Sequence, residues 1–188
     1  MKVFIVLATL AVSAFAQTPC DNIRTRSQWG SRSTSLTWMP TQPPTGFAVH
    51  HTAGARCTTQ AACDTQMRNI QNFHINSNGW ADIGYNFCVG DPGQIYEGRG
   101  YGRQGAHAPG FNQRALGHCF FGDHSSVNPT AAALSNTQAF INCARDRGFL
   151  SAGHWVSTHR GDRQSNTACP GQALQNQVAT WPRFVAQP

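Results

Sequence analysis

Phe47-Ala48-Val49-His50-His51-Thr52-Ala53 is the stretch that decides how this chain is read. Phe47, Ala48 and Val49 form the apolar end of a buried strand, and two histidines follow where that strand runs out. Side chains alternate faces along a strand, so only one of His50 and His51 can point into a given site. A strand end is also a rigid mount for a ligand. Neutral imidazole is a common metal ligand, and zinc enzymes combine it with cysteine or carboxylate. Near the C-terminus the chain offers His159 and Cys169 as partners. Without such partners, the two histidines would be ordinary strand-end residues.

The chain begins Met1-Lys2, runs apolar from Val3 to Val12, and continues Ser13-Ala14-Phe15-Ala16. This is the pattern of a secretory signal peptide, residues 1–16, cut after Ala16. The apolar run is too short to span a bilayer, and no later segment is long enough. A secreted, extracellular protein with no membrane span is expected. Residues 17–188 suffice for one domain with a real core. We divide them into an N-terminal arm, 17–46, and a main domain, 47–188.

Lys2 is the only lysine, so residues 17–188 carry 13 arginines against 8 acids, a net charge of +5. Guanidinium groups suit forked contacts with carboxylate or phosphate. An anionic partner such as a bacterial wall polymer fits this balance, as does plain solubility. Nucleic acid does not, because the chain has no arginine cluster and no nucleic-acid motif.

Seven cysteines remain: Cys20, Cys57, Cys63, Cys88, Cys119, Cys143 and Cys169. In an oxidising compartment most should pair, and the odd count leaves at least one over. Assigning Cys169 to a metal leaves six to pair.

Along the chain, 17–46 reads as an extended arm with a proline-rich tract, Met39 to Pro44, and Trp29 as a packing anchor. After the strand over 47–52, Met67, Ile70 and His74 recur at helical spacing, with Phe73 beside them, over about 61–76; Gly79 stops that helix. Ile83–Val89 and Gln94–Glu97 read as two strands about a Gly90-Asp91-Pro92-Gly93 turn. Alternation puts Tyr85, Phe87 and Val89 on one face and Cys88 on the other. Ala115–Phe121 is an apolar central strand, with His118 a structural residue in it. A long helix from Asn128-Pro129-Thr130 to Arg147 buries Leu134, Phe140, Ile141 and Ala144 and ends at Gly148. His154–His159 is a short strand, 160–168 a polar loop, and Pro170 opens a last helix with Leu174, Val178 and Trp181 as its apolar stripe. Strands interleaved with helices predict an α/β domain, with sites at strand ends where His50 and His159 fall. Two imidazoles, one thiolate and an open fourth position describe a catalytic zinc site, suited to amide hydrolysis.

Several motifs, in order, carry a close resemblance to the peptidoglycan recognition protein family, relatives of phage N-acetylmuramoyl-L-alanine amidases. They are Val49-His50-His51-Thr52-Ala53-Gly54, Arg68 to His74, Asp82-Ile83-Gly84-Tyr85-Asn86-Phe87 and Tyr96-Glu97-Gly98-Arg99-Gly100. Gly105-Ala106-His107, Thr158-His159-Arg160 and Cys169-Pro170-Gly171 complete the set. The resemblance runs from about Cys20 to Pro182. It implies a central mixed β-sheet flanked by three α-helices, with a substrate groove over the sheet and Zn2+ held by His50, His159 and Cys169. It implies Tyr85 and Thr167 as catalytic stabilisers, with His51 facing away. The implied reaction is hydrolysis of the amide between the lactyl group of N-acetylmuramic acid and L-alanine of the stem peptide, in innate immunity. Family members lacking the zinc cysteine bind peptidoglycan without cutting it, so a non-catalytic receptor is the alternative; Cys169 favours the hydrolase.

His74, His107 and Asn112 match groove residues of the family. Gly79-Trp80 and Arg99 match its combination for stem peptides bearing meso-diaminopimelate, whose extra carboxylate suits a guanidinium fork. The resemblance pairs Cys57 with Cys63 and Cys20 with Cys143. For Cys88 and Cys119, a third bridge and two buried free thiols both stay open. A monomer acting on peptidoglycan or muropeptides is implied. The gap from His159 to Cys169 is ten residues, two more than the usual family spacing. Thr158 stands where glycine is common, and Tyr101 where tryptophan is, the latter bearing on groove shape.

Overall fold

The computed structural model describes residues 18–188; the expected leader, 1–16, lies outside them. Five strands form one mixed sheet: β1 (Gly46–His51), β2 (Phe87–Val89), β3 (Ile95–Glu97), β4 (Ala115–Phe120) and β5 (Trp155–Thr158). Their order is β3-β2-β4-β1-β5. Only β3 runs antiparallel to its neighbour. Helices α2 (Gln60–Asn76), α3 (Ala131–Asp146) and α4 (Gln172–Val178) flank the sheet, and α1 (Arg26–Trp29) is a single turn in the arm. The predicted α/β architecture is the one found.

Alternation along the central strands sorts the core into two layers. Phe47 and Val49 of β1, Phe87 and Val89 of β2, and Leu116 and Phe120 of β4 meet Phe140 and Ala144 of α3 and Leu174 and Val178 of α4. The opposite face carries Cys88 and Cys119, which meet Met67 and Cys63 of α2. On this second face α2 covers β2, β3 and the adjoining part of β4 but not β1. Ala48 packs instead under the loop residues Ala108 and Phe111. His50, two residues beyond Ala48, therefore opens on the side left free of helix.

Thr59 caps α2, its hydroxyl accepting from the Ala62 N–H at 3.2 Å. The helix ends as Gly79 takes a φ of +70° and the Trp80 N–H returns to the His74 carbonyl at 3.0 Å. Phe73, beside the buried stripe, is 57% exposed and remains available to a ligand. Thr130 caps α3, and Gly148 ends it with a φ of +73°. Trp29 is fully buried and its indole N–H donates to the Glu97 carbonyl at 2.8 Å, as befits an anchor. Ion pairs Arg24–Asp64 and Arg26–Asp82 hold the arm near α2.

Three disulfides form: Cys20–Cys143, Cys57–Cys63 and Cys88–Cys119. The third joins neighbouring strands β2 and β4 at facing register positions. Cys169 is the free cysteine among the described residues.

Two local expectations need correcting. The strand predicted from Ile83 begins only at Phe87, because the preceding backbone bonds to loops and α2: the Gly84 N–H donates to His74, and the Tyr85 carbonyl accepts from Arg99. Alternation therefore stops before Tyr85, which packs with the α2 layer and not beside Phe87 and Val89. The last helix starts at Gln172, not Pro170. Gly171 holds a φ of +84°, and a Cβ there would lie 2.3–2.4 Å from the His124 carbonyl group, so the turn is closed before the helix can begin.

His118 is fully buried among Phe47, Phe120 and Phe140, with only Thr137 bonding its ring, through Nε2 at 3.1 Å. Burial pushes its pKa down to about 3. The unfolded chain binds this proton from about pH 6.5 downward and the folded chain does not. Stability is thus intact above pH 6.5 and falls as pH drops toward 3, by roughly 2 kcal/mol at pH 5 from this one ring. Urea melts at pH 7.5 and 5.0, in chelator, should show His118→Gln shedding about that much of the wild-type acid loss. An unchanged pH dependence in the variant would refute the assignment.

Candidate functional site

β1 delivers His50, β5 ends one residue before His159, and the loop before α4 delivers Cys169. One ligand atom from each lies within 4.8 Å of the other two. His50 Nδ1 is 3.7 Å from Cys169 Sγ, and the His50 and His159 rings are 4.6 Å apart by centroid. Tetrahedral zinc with bonds of about 2.0–2.3 Å sets its donors roughly 3.3–3.8 Å apart. The two additional residues between His159 and Cys169 thus leave the thiol within reach.

The donors also fit chemically. Burial, then the nearby His107 and His159, holds His50 well below the usual imidazole range, and burial lowers His159. Both are the neutral ligands a cation needs. Burial raises the Cys169 thiol to about 12, opposed by the His51 backbone N–H, which donates to Sγ at 3.4 Å. A dication between these groups would supply the charge that favours thiolate. His51 points to the opposite face, as alternation demands, where its Nδ1 accepts from the His124 N–H at 3.1 Å. The ring of His124 is itself buried and turned to the Val127 and Phe121 carbonyls.

Two adjoining depressions flank the cluster. Tyr85 and His74 line one with Phe73; Trp80, His107 and Asn112 line the other with His159. The Tyr85 ring lies 5.4 Å from that of His50, tilted against it, and 5.7 Å from that of His74, edge to face, by centroid. Burial, then proximity to Cys169, raises its hydroxyl pKa, so it stays protonated. His74 accepts from the Gly84 N–H through Nδ1 at 2.9 Å, and its pKa is about 4, chiefly from burial. It is neutral, with Nε2–H left to donate. Asn112 spends its carbonyl oxygen on the backbone N–H groups of His107 and Ala108, leaving its amide N–H groups free. Thr167 accepts from the Cys169 N–H at 3.0 Å, so it braces the thiol's own turn. Gly79 supplies the left-handed turn that sets Trp80 against His74, 4.6 Å apart by centroid.

Arg99 is largely buried and donates to three backbone carbonyls, of Ile83, Gln104 and Asp82, at 2.6, 2.7 and 3.4 Å. The guanidinium is fixed in orientation with two of its five N–H groups uncommitted. Tyr101 packs with Phe87, Phe140 and Phe149 on the α3 side and lines neither depression beside the cluster. Thr158 likewise turns to α4, donating to Gln175 at 2.6 Å.

Sequence reasoning missed Asn86, Asp162 and Ser165. Asn86 joins three strands of chain through the Gly100 and Arg103 carbonyls and the Gly117 N–H. Asp162 and Ser165 stand behind His159. The aspartate three residues after a candidate ligand was the one signal for the latter pair.

The N-acetylmuramoyl-L-alanine amidase family model matches residues 40–172. Peptidoglycan-recognition protein SC2 of Drosophila melanogaster is 38% identical over 181 residues, 96% of this chain and 97% of that protein. Human PGRP-Iβ C, solved in complex with a glycosamyl muramyl pentapeptide, is 41% identical with a TM-score of 0.84, over 88% of this chain and 99% of that one. Peptidoglycan recognition protein LE, solved with monomeric diaminopimelic acid-type peptidoglycan, is 34% identical with a TM-score of 0.84, over 87% and 96%. Fold, motif order and these likenesses agree: the chain belongs to the peptidoglycan recognition protein family, within the wider N-acetylmuramoyl-L-alanine amidase family.

Proposed function

We propose that this protein is a secreted, zinc-dependent N-acetylmuramoyl-L-alanine amidase that binds bacterial peptidoglycan and separates the stem peptide from N-acetylmuramic acid. The observation that carries the reading is the convergence of His50, His159 and the unpaired Cys169 beside an open groove. The three disulfides support an extracellular address. The relatives solved with muramyl peptide and peptidoglycan support the substrate class.

His50, His159 and Cys169 would hold the ion, which supplies Lewis-acid polarisation of a carbonyl and an acidified water when bound. The remaining steps fall to the protein. The stem lies along the groove between Phe73 and Trp80, oriented by N–H groups of His74 and Asn112. The neutral Tyr85 hydroxyl donates to the oxygen of the scissile carbonyl as negative charge develops there, and Thr167 adds a second hydroxyl on the Cys169 side. Mass spectrometry of muropeptides after digestion tests bond and metal together. Free stem peptides should accumulate, and a chelator should stop them. Muropeptides bound but never cut would instead make the protein a receptor.

Gly79-Trp80 and Arg99 support a preference for diaminopimelate-type wall. The two uncommitted N–H groups of Arg99 suit the extra carboxylate. Arg99→Lys keeps the charge and loses the fork, and should cut the preference over lysine-type peptidoglycan about 10-fold. Binding isotherms on both purified polymers measure it; wild-type protein that bound the lysine type more tightly would sink the idea.

A further inference from the structure

Two hydrogen-bond relays stand behind the two histidines. His50 Nε2 lies 3.0 Å from His107 Nδ1, and His107 Nε2 lies 3.4 Å from the Ala115 carbonyl. A carbonyl only accepts, so His107 carries its proton on Nε2 and offers a lone pair at Nδ1. His50 must then donate from Nε2. Its lone pair falls on Nδ1, the atom 3.7 Å from Cys169 Sγ. Gly117 makes this contact sterically possible, since a Cβ there would lie 2.2 Å from the His107 ring.

The second relay is built differently and reaches the same result. Asp162 is buried and pinned by the Gly110 and Gln164 N–H groups at 3.1 and 3.0 Å. Ser165 donates its one hydroxyl proton to Asp162 Oδ2 at 2.8 Å. Toward His159 Nε2, 3.2 Å away, the same oxygen can only accept. His159 therefore holds its proton on Nε2 and its lone pair on Nδ1. Ser165 lies inside the long segment between His159 and Cys169, so the loop that carries the thiol also carries the acceptor.

We propose that His107 and the Ser165–Asp162 pair are positioning residues that hold His50 and His159 as Nε2-protonated tautomers, so that both turn Nδ1 lone pairs to the point Cys169 faces. This rests on the zinc reading above and extends it to the residues behind the ligands. Outer hydrogen-bond partners of ligating histidines typically contribute about 10–100-fold in metal affinity.

Long-range 1H–15N spectra of the mature, disulfide-bonded chain read the tautomers without and with zinc. Both histidines should be Nε2–H in either state. Chelator competition should give Ser165→Ala a zinc affinity about 10-fold weaker, while Ser165→Thr, which keeps the hydroxyl, stays within about 2-fold of wild type. An Nδ1–H tautomer at either histidine, or wild-type affinity in Ser165→Ala, overturns the proposal. Wild-type protein that has both tautomers yet retains no zinc supports the relays and defeats the amidase reading. Zinc retained with the other tautomer does the reverse.

Discussion

Cys169→Ser should empty the protein of zinc on dialysis and end muropeptide cleavage, while peptidoglycan binding and the fold survive. The substitution nearly keeps size and hydrogen-bonding capacity but replaces a soft sulfur that a bound cation can ionise with an alcohol that stays protonated. Structural zinc sites bind with about 10–16 kcal/mol over four donors, so one donor accounts for roughly 3–4 kcal/mol, a 10²–10³-fold loss of affinity. Hydrolysis should fall further, since two imidazoles alone do not hold the ion in place. The groove side chains Phe73, His74, Trp80 and Asn112 are separate from the thiol, and the three disulfides do not involve it. Binding to insoluble peptidoglycan should therefore change less than about 3-fold, because the metal's contacts contribute little to holding the polymer. Metal analysis after dialysis and muropeptide digestion read the two losses. A variant with unaltered zinc content and turnover would remove Cys169 from the ligand set.

The parts of this site that depend on strand alternation and cysteine parity were readable from the chain. His50 and His51 point to opposite faces because β1 is regular to its end, and the odd cysteine is the one left unbridged. Tyr85 defeated the same logic. Its neighbours resembled a strand, but the chain there satisfies its backbone groups on α2 and the Arg99 loop, so period 2 had already stopped. Pro170 likewise suggested a helix start that Gly171 forbids by its close approach to His124. Nothing local betrays the contact between His50 and His107, which depends on a loop folding back over Gly117 from 57 residues away. Arg99 was legible as a cation, but its immobilisation by three carbonyls was not, because those carbonyls belong to turns that only the tertiary fold creates.

Tyr85→Phe should lower kcat by about 10²–10³ with zinc content, fold and KM nearly unchanged, a loss of roughly 3–4 kcal/mol that falls on the transition state. The phenyl ring preserves the contacts with His50 and His74, so packing beside the cluster is retained. What disappears is one O–H. Burial, then the adjoining sulfur, raises the pKa of that hydroxyl well above its ordinary value, so it keeps its proton across the assay range. In the proposed reaction Tyr85 would therefore act as a donor and not a base, its bond strengthening only as the scissile carbonyl gains negative charge. A general base would instead leave a lost acidic limb in the pH–rate profile of the variant. Here the profile should keep its shape and drop as a whole. Steady-state rates on a soluble muropeptide across pH 5.5–8.5, beside zinc analysis of the same preparation, separate these cases. Turnover equal to wild type would mean that the hydroxyl is not aimed at the reacting carbonyl.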